Sequence, residues 1–217
     1  MPGLCFFWTT VLPLIFFDMT IFQRLQRNIE VSDEEFDSIY PKRMRAVSEF
    51  HFTPVEVAKV AARFLVQKEG TKVLDVGAGA GKFCMVGAAC TAGHFTGVEQ
   101  RAGLHRISIQ LFNRYKLNNL DFIHSNITAI EFKEFEAFYI FNPFYENIIA
   151  ENPIDDTIQL EKNLYSLYSL YVKAKLSKMP AGTRLATYFS YLDEVPEGYE
   201  VQSTYFGDKL KLWAKII

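Results

Sequence analysis

The features of this chain that indicate a ligand site most clearly are three alternating glycines and a later acidic residue. The glycines are Gly77, Gly79 and Gly81, directly after the apolar run 73–76. This pattern is typical of a buried strand that turns sharply into a helix, because glycine adopts backbone angles closed to other residues. Glu99 ends the next strand-like run, where a carboxylate can accept hydrogen bonds from both hydroxyls of a ribose. Together they predict a nucleotide-like ligand across the carboxyl ends of a parallel sheet.

Two common phosphate-binding patterns do not fit this loop. The dinucleotide pattern G-x-G-x-x-G fails because Lys82 occupies its third glycine position. The P-loop pattern needs glycine at the position of Val76 and serine or threonine at that of Phe83. The loop therefore matches neither pattern.

The motif Asp75-x-Gly77-x-Gly79-x-Gly81 resembles the first motif of the Rossmann-like (class I) S-adenosylmethionine (SAM) methyltransferases. The resemblance covers roughly residues 50 to 217 and implies that SAM is the cofactor. SAM carries an ammonium and a sulfonium, and the Asp75 carboxylate at the strand end can face that positive end, directly or through water. Ala78, between the first two glycines, is included in the cofactor-binding loop.

The resemblance also implies contacts to the adenosine part of SAM. Glu99 is expected to hold the ribose, with Gln100 beside it. Asn126 stands where the family usually has an aspartate that accepts from the adenine amino group; its side-chain oxygen can accept the same bond. Ile127 can pack on the adenine face. The alternative for Asn126 is a turn-forming residue.

The tetrapeptide Asn142-Pro143-Phe144-Tyr145 lies at the end of the fourth predicted strand. It resembles the N-P-P-Y motif of methyltransferases that modify planar amino groups, and somewhat resembles the loop of non-SET histone-lysine methyltransferases. The resemblance implies that Asn142 and the Pro143 carbonyl bind the acceptor N–H groups, while Tyr145 stacks on the target. Phe144 departs from the motif, because it replaces the second proline and so restores a backbone N–H and frees the backbone angle. The alternative is a proline that ends a strand beside core aromatics.

The segment His51-Phe52-Thr53-Pro54 resembles the segment that caps the methionine side of SAM in adenine-amine methyltransferases. Phe52 is expected to cover the sulfonium, since a cation favours an aromatic face, and Thr53 is counted with it as a cofactor contact. The alternative is a plain helix cap with a hydrophobic staple.

Composition limits the other classes of function. The chain has 217 residues, of which 49% are hydrophobic, and a net charge of −2, so no global basic field attracts nucleic acid. We therefore favour a protein side chain or a small molecule over nucleic acid as the unknown methyl acceptor. The three cysteines and four histidines show no metal-ligand spacing, so no metal is expected, and the odd cysteine count favours the cytoplasm.

The chain is expected to divide into an N-terminal arm and helical extension (1–50) and a SAM-binding domain (51–217). The apolar stretch 4–17 is too short and too interrupted for a confident membrane span. A docked arm or an upstream extension of the true start is favoured there over a weak membrane anchor.

The pattern along the domain alternates strand and helix. It predicts an α/β, Rossmann-like doubly wound sheet, mostly parallel, with helices on both faces and a C-terminal antiparallel hairpin. The predicted strands are 72–76, 95–99, 120–124, 137–142, 183–190, 199–204 and 209–216. The predicted helices of the domain are 81–92, 102–115 and 158–178; before them, one helix is predicted to start at Ser32 and another at Thr53-Pro54.

The sequence predicts an enzyme that transfers a methyl group from SAM to a nitrogen acceptor. Two alternatives stay open. One is an NAD(P)-dependent oxidoreductase, which the failed dinucleotide pattern and the terminal hairpin disfavour. The other is a non-catalytic binding module on the same fold.

Overall fold

Seven strands form a single sheet in the computed structural model, which describes residues 19–149 and 153–217. The strands are β1 (Lys72–Val76), β2 (His94–Glu99), β3 (Leu120–His124), β4 (Ala137–Ile140), β5 (Arg184–Tyr188), β6 (Tyr199–Tyr205) and β7 (Leu210–Lys215). Their order across the sheet is β3-β2-β1-β4-β5-β7-β6. Strands β1 to β5 are parallel, and β7 pairs antiparallel with both β5 and β6. The predicted fold class, including its terminal hairpin, is confirmed.

The strand order reverses beside β1. The chain builds outward from β1 to β3 and then returns to place β4 on the other side of β1. In parallel α/β sheets, such a reversal opens a crevice at the carboxyl ends of the two central strands. The glycine loop follows β1 and Asn142 follows β4, so the topology brings both motifs to this crevice.

Eight helices are described. They are α1 (Ile21–Gln26), α2 (Asp33–Asp37), α3 (Lys42–Arg45), α4 (Ser48–His51), α5 (Val55–Leu65), α6 (Lys82–Cys90), α7 (Ala102–Tyr115) and α8 (Lys162–Leu176). Side chains from α1, α2 and α5 to α7 form one hydrophobic cluster on one face of the sheet, and α8 contributes to a second cluster on the opposite face. Helices thus cover both faces, as the alternating pattern predicts.

The last helix differs from its prediction. It begins at Lys162 rather than 158 and ends at Leu176 rather than 178, and Leu167 on it is 53% exposed. The buried face instead carries Tyr165 and Ser169. Their hydroxyls donate to Asp193 and Glu194, so this face uses hydrogen bonds that hydrophobic spacing alone does not reveal.

The helices before β1 pack against the glycine loop. A capping box at Ser32 starts α2, as predicted, and the buried Lys82 lies 2.7 Å from both Asp33 and Asp37 of that helix. Lys82 begins α6 directly after the loop. The ion pairs therefore hold α2 on the back of the loop.

Two predictions concern the organisation of the chain. The division near residue 50 stays a prediction, and the apolar stretch 4–17 lies outside the described residues. Within 19–149 and 153–217, no helix combines the length and apolar character that crossing a bilayer requires.

Candidate functional site

A cleft of about 260 Å³ lies at the carboxyl ends of β1, β2 and β4. It contains nine of the predicted site residues: Gly77, Gly79, Glu99, Gln100, Asn126, Ile127, Asn142, Pro143 and Tyr145. The cleft therefore brings the glycine loop, the acidic strand end and the tetrapeptide loop into one site.

Two glycines shape the floor of the cleft. Gly77 has φ +76°, and a Cβ placed on it would lie 2.5 Å from Pro143 Cβ. Only a residue without a side chain lets these two loops approach so closely. Gly79 has φ +56° and would meet no atom within 4 Å, so it leaves open space on the cleft side.

The Glu99 carboxylate is fixed by the main chain. Its Oε2 accepts from the Gly79 N–H at 3.0 Å and its Oε1 from the Arg101 N–H at 2.7 Å. Burial raises the pKa of Glu99, although these N–H donors oppose that shift. A carboxylate has about four acceptor positions, so each oxygen can still accept one hydroxyl proton from a ligand.

Asn126 has a different role from the one predicted. Its Oδ1 accepts from both the backbone N–H and the hydroxyl of Thr128, at 3.0 and 2.9 Å. Its Nδ2 donates to Gln100 Oε1 and to the Tyr168 hydroxyl, at 3.1 and 2.9 Å. Because an amide oxygen accepts two hydrogen bonds and an amide nitrogen donates two, the group is saturated. The structure gives Asn126 the turn-capping role and leaves no lone pair for adenine.

Asn142 carries the one buried acceptor in the cleft that lacks a partner among the described residues. Its Oδ1 makes no hydrogen bond, and its φ of +39° is a left-handed conformation that asparagine tolerates better than most residues. An unsatisfied buried acceptor is costly unless a ligand satisfies it. Asn142 lines the cleft, so this oxygen is a candidate partner for an N–H donor bound there.

Aromatic side chains flank Asn142 in the loop that lines the cleft. Tyr145 lies 5.8 Å from Tyr191, centroid to centroid, and Tyr191 is 55% exposed. Phe144, which replaces the second proline of the motif, is buried and packs 5.3 Å from Tyr168. Phe144 and Tyr145 both line the cleft, and Phe144 is the more buried of the two.

Three predicted contacts from the glycine motif point away from the cleft. Asp75 shares its strand face with Val73, so its carboxylate is buried under α6, where the Cys84 thiol donates to it at 3.3 Å. The Ala78 N–H donates to the Val98 carbonyl. Gly81 packs against Phe122, since an added Cβ would lie 2.5 Å from that ring. None of the three lines the cleft.

Phe52 and Thr53, the two cofactor contacts predicted before α5, do not line the cleft either. Phe52 is buried beside Tyr40, with ring centroids 5.0 Å apart, and the Thr53 hydroxyl lies 3.0 Å from that of Tyr139. Helix α4 ends at His51, so the chain turns Phe52 into the core and leaves Phe50 at the cleft. Phe52 therefore does not line the cleft, and its predicted cover over the sulfonium stays a prediction.

Solved structures with this fold include proteins crystallised with SAM or its product. An RNA methyltransferase from Salinibacter ruber in complex with S-adenosyl-L-homocysteine is 14% identical, with a TM-score of 0.53 over 76% of this chain and 93% of that chain. A mutant of MtNAS in complex with SAM is 15% identical, with a TM-score of 0.53 over 89% and 73% of the two chains. TrmN from Thermus thermophilus is 15% identical, with a TM-score of 0.54 over 80% of this chain.

The chain has the class I methyltransferase fold. It spans about half the length of TrmN, 51% of that chain. Neither a protein-family model nor a curated protein matches the sequence.

Several cleft residues of this methyltransferase fold carried no recognisable sequence signal. Arg101 lines the cleft and pairs with Glu146 and Asp155, at 2.6 and 3.0 Å. Tyr168 reaches the cleft from α8; its helical spacing with Tyr165 and Tyr171 indicates a packed face, with the lining of a cleft as the alternative. These residues are far apart in sequence, so only the fold brings them together.

Proposed function

We propose that this protein transfers a methyl group from SAM to a nitrogen atom of an acceptor. The observation that carries the proposal is the shared cleft, in which a main-chain-anchored carboxylate, Glu99, lies with the unpartnered Asn142 Oδ1. The SAM and S-adenosylhomocysteine complexes of two proteins with the same fold support the choice of cofactor.

The cofactor half of the cleft suits an adenosine. Glu99 has one free acceptor position on each carboxylate oxygen for the ribose hydroxyls, since Gly79 and Arg101 occupy one each. Ile127 supplies an apolar surface for the adenine, and the open space at Gly79 admits the ligand close to the main chain. Bound SAM supplies an activated methyl group on a sulfonium, so the protein has mainly to position the acceptor.

The acceptor half suits a nitrogen that carries hydrogen. Asn142 Oδ1 accepts from the acceptor N–H and orients the nitrogen lone pair towards the methyl carbon. The new N–C bond forms as the C–S bond breaks, the bonding electrons stay on sulfur, and the nitrogen loses a proton to solvent. The Tyr145 ring positions the group that bears the nitrogen.

The charges in the cleft favour an acceptor that is not an anion. Arg101 is the only lysine or arginine among the described cleft residues, and two carboxylates already neutralise it. A phosphate-rich acceptor would find no unpaired basic side chain of these types on this cleft surface. We therefore keep a protein side chain or a small molecule as the preferred acceptor.

A transfer assay tests the proposal. Purified protein is incubated with methyl-labelled SAM and an extract depleted of small methyl donors, and the labelled product is located by mass spectrometry. Asn142→Ala should reduce transfer by about 10²–10³-fold, the cost of losing one positioned polar group in an active site, and should still bind S-adenosylhomocysteine. Asn119→Ala is the matched control, because Asn119 also has a positive φ, +57°, but lies outside the cleft.

A second candidate function follows from Asn126. Its saturated amide removes one expected cofactor contact, as in a binding module that has kept the fold without the reaction. Such a module would bind S-adenosylhomocysteine and transfer no label to any acceptor. Equal transfer by the parent and Asn142→Ala would instead contradict the proposed role of Asn142.

A further inference from the structure

A buried ion cluster joins the two walls of the cleft. Arg101 directly follows β2, whereas Glu146 lies in the turn after β4, two strands away across the sheet. The Arg101 guanidinium donates to Glu146 Oε2 at 2.6 Å and to Asp155 Oδ1 at 3.0 Å. All three side chains are at most one-fifth exposed, so water competes poorly for these charges.

Arg101 also contacts the cofactor half through its backbone. Its N–H donates to Glu99 Oε1 at 2.7 Å, and its side chain holds Glu146 in the loop that contains Asn142. A change at the Glu99 carboxylate, such as accepting ribose hydroxyls, therefore acts directly on the residue that anchors the opposite wall.

The loop after β4 is a short hydrogen-bonded turn. The Tyr145 N–H donates to the Asn142 carbonyl at 3.2 Å, and the Asn147 N–H donates to the Phe144 carbonyl at 3.0 Å. Glu146 lies inside this turn, and its Oε1 accepts from the Ile154 N–H at 2.6 Å. Glu146 thus lies in the same hydrogen-bonded turn as Asn142, and its ion pair restrains that turn.

We propose that Arg101 is a positioning residue that couples occupation of the cofactor half to the arrangement of the acceptor loop, residues 142–149. The inference rests on the proposed function only for the identity of the ligand at Glu99. Removing the guanidinium leaves Glu146 and Asp155 without their shared cation, and two neighbouring carboxylates then repel each other. The acceptor loop loses its anchor while the glycine loop keeps its own contacts.

Amide hydrogen exchange of the full chain, free and with S-adenosylhomocysteine, tests the coupling. The variants are Arg101→Met and Glu146→Gln, and the latter keeps the side-chain shape in case the former does not fold. Glu136→Gln is the control, because Glu136 forms an exposed pair with Lys68 at 2.8 Å and lies outside the cleft.

In the free protein, exchange in 142–149 should rise about tenfold in Glu146→Gln and stay unchanged in Glu136→Gln. With ligand, the parent should show slower exchange in both 77–81 and 142–149, whereas Glu146→Gln should show it in 77–81 alone. A merely structural role would change both segments together.

Ligand-induced protection of 142–149 that persists in Glu146→Gln would overturn the inference. If the parent binds no S-adenosylhomocysteine, the proposed function fails. Exchange in residues 142–149 of the ligand-free parent and Glu146→Gln still decides whether the cluster anchors the loop. If that exchange is unchanged in Glu146→Gln, the inference is overturned whether or not a ligand binds.

Discussion

Gly77 and Pro143 touch across the floor of the cleft, and the contact leaves no room for a side chain at position 77. A Cβ there would lie 2.5 Å from Pro143 Cβ. The loop after β1 and the loop after β4 therefore have a fixed separation. This separation sets the distance between the cofactor half and the acceptor half of the cleft.

Gly77→Ala should destabilise the protein and weaken cofactor binding. The substitution combines a clash with a left-handed backbone angle, so we expect a loss of about 2–4 kcal/mol, from strain of about 1–2 kcal/mol and a displaced Pro143. Urea unfolding and S-adenosylhomocysteine titration measure the two effects. Gly70→Ala is matched in φ, +73° against +76°, but meets no atom within 4 Å. Equal losses in the two variants would show that the contact with Pro143 is unimportant.

Lys82→Met should destabilise the protein by about 3–5 kcal/mol, because the buried Asp37 loses its charge partner. The same substitution at Lys68, in the exposed pair with Glu136, should cost only about 0–1 kcal/mol. Urea unfolding of both variants gives the comparison. A small loss at Lys82 would mean that α2 does not depend on these ion pairs.

Asp75 should make stability fall as pH rises. Burial raises the pKa of this carboxyl from 3.8 to about 7, so the folded state holds the proton more tightly than the unfolded state. The contribution is present below pH 3.8 and is lost as pH rises towards 7. Glu99, with a raised pKa, acts in the same direction, and Asp155, with a lowered pKa, acts in the opposite one.

The difference between the parent and Asp75→Asn isolates this carboxyl. The free energy of unfolding is measured between about pH 4 and about pH 7.5, a window that spans the titration. It should fall more steeply with pH in the parent than in Asp75→Asn. Parallel curves would contradict the assigned burial of the charge.

The sequence predicted the fold because its signals are local. Strand runs, glycines and capping residues act within a few positions, so the parallel order and the Ser32 cap followed from the pattern. The alternation of side chains along β1 also indicates the orientation of Asp75. Asp75 shares a strand face with the buried Val73, so it faces the core and not the cleft.

The rest of the site depends on contacts between distant residues. Arg101, Glu146 and Asp155 carry no motif, and only the sheet order brings them together. Asn126 was predicted from its position in the fold, but its neighbour Thr128 and the distant Tyr168 take its hydrogen bonds. Position in the chain indicated where these groups lie, and the packing decided what they bind.

Calorimetric titration of SAM into the parent and into Glu99→Ala tests the central claim most directly. The parent should bind one equivalent, and the variant should bind about 10–100-fold more weakly, since two hydrogen bonds to a charged group are lost. Heat of binding absent from the parent, or equal affinity in the two proteins, would contradict the assignment of this cleft to SAM.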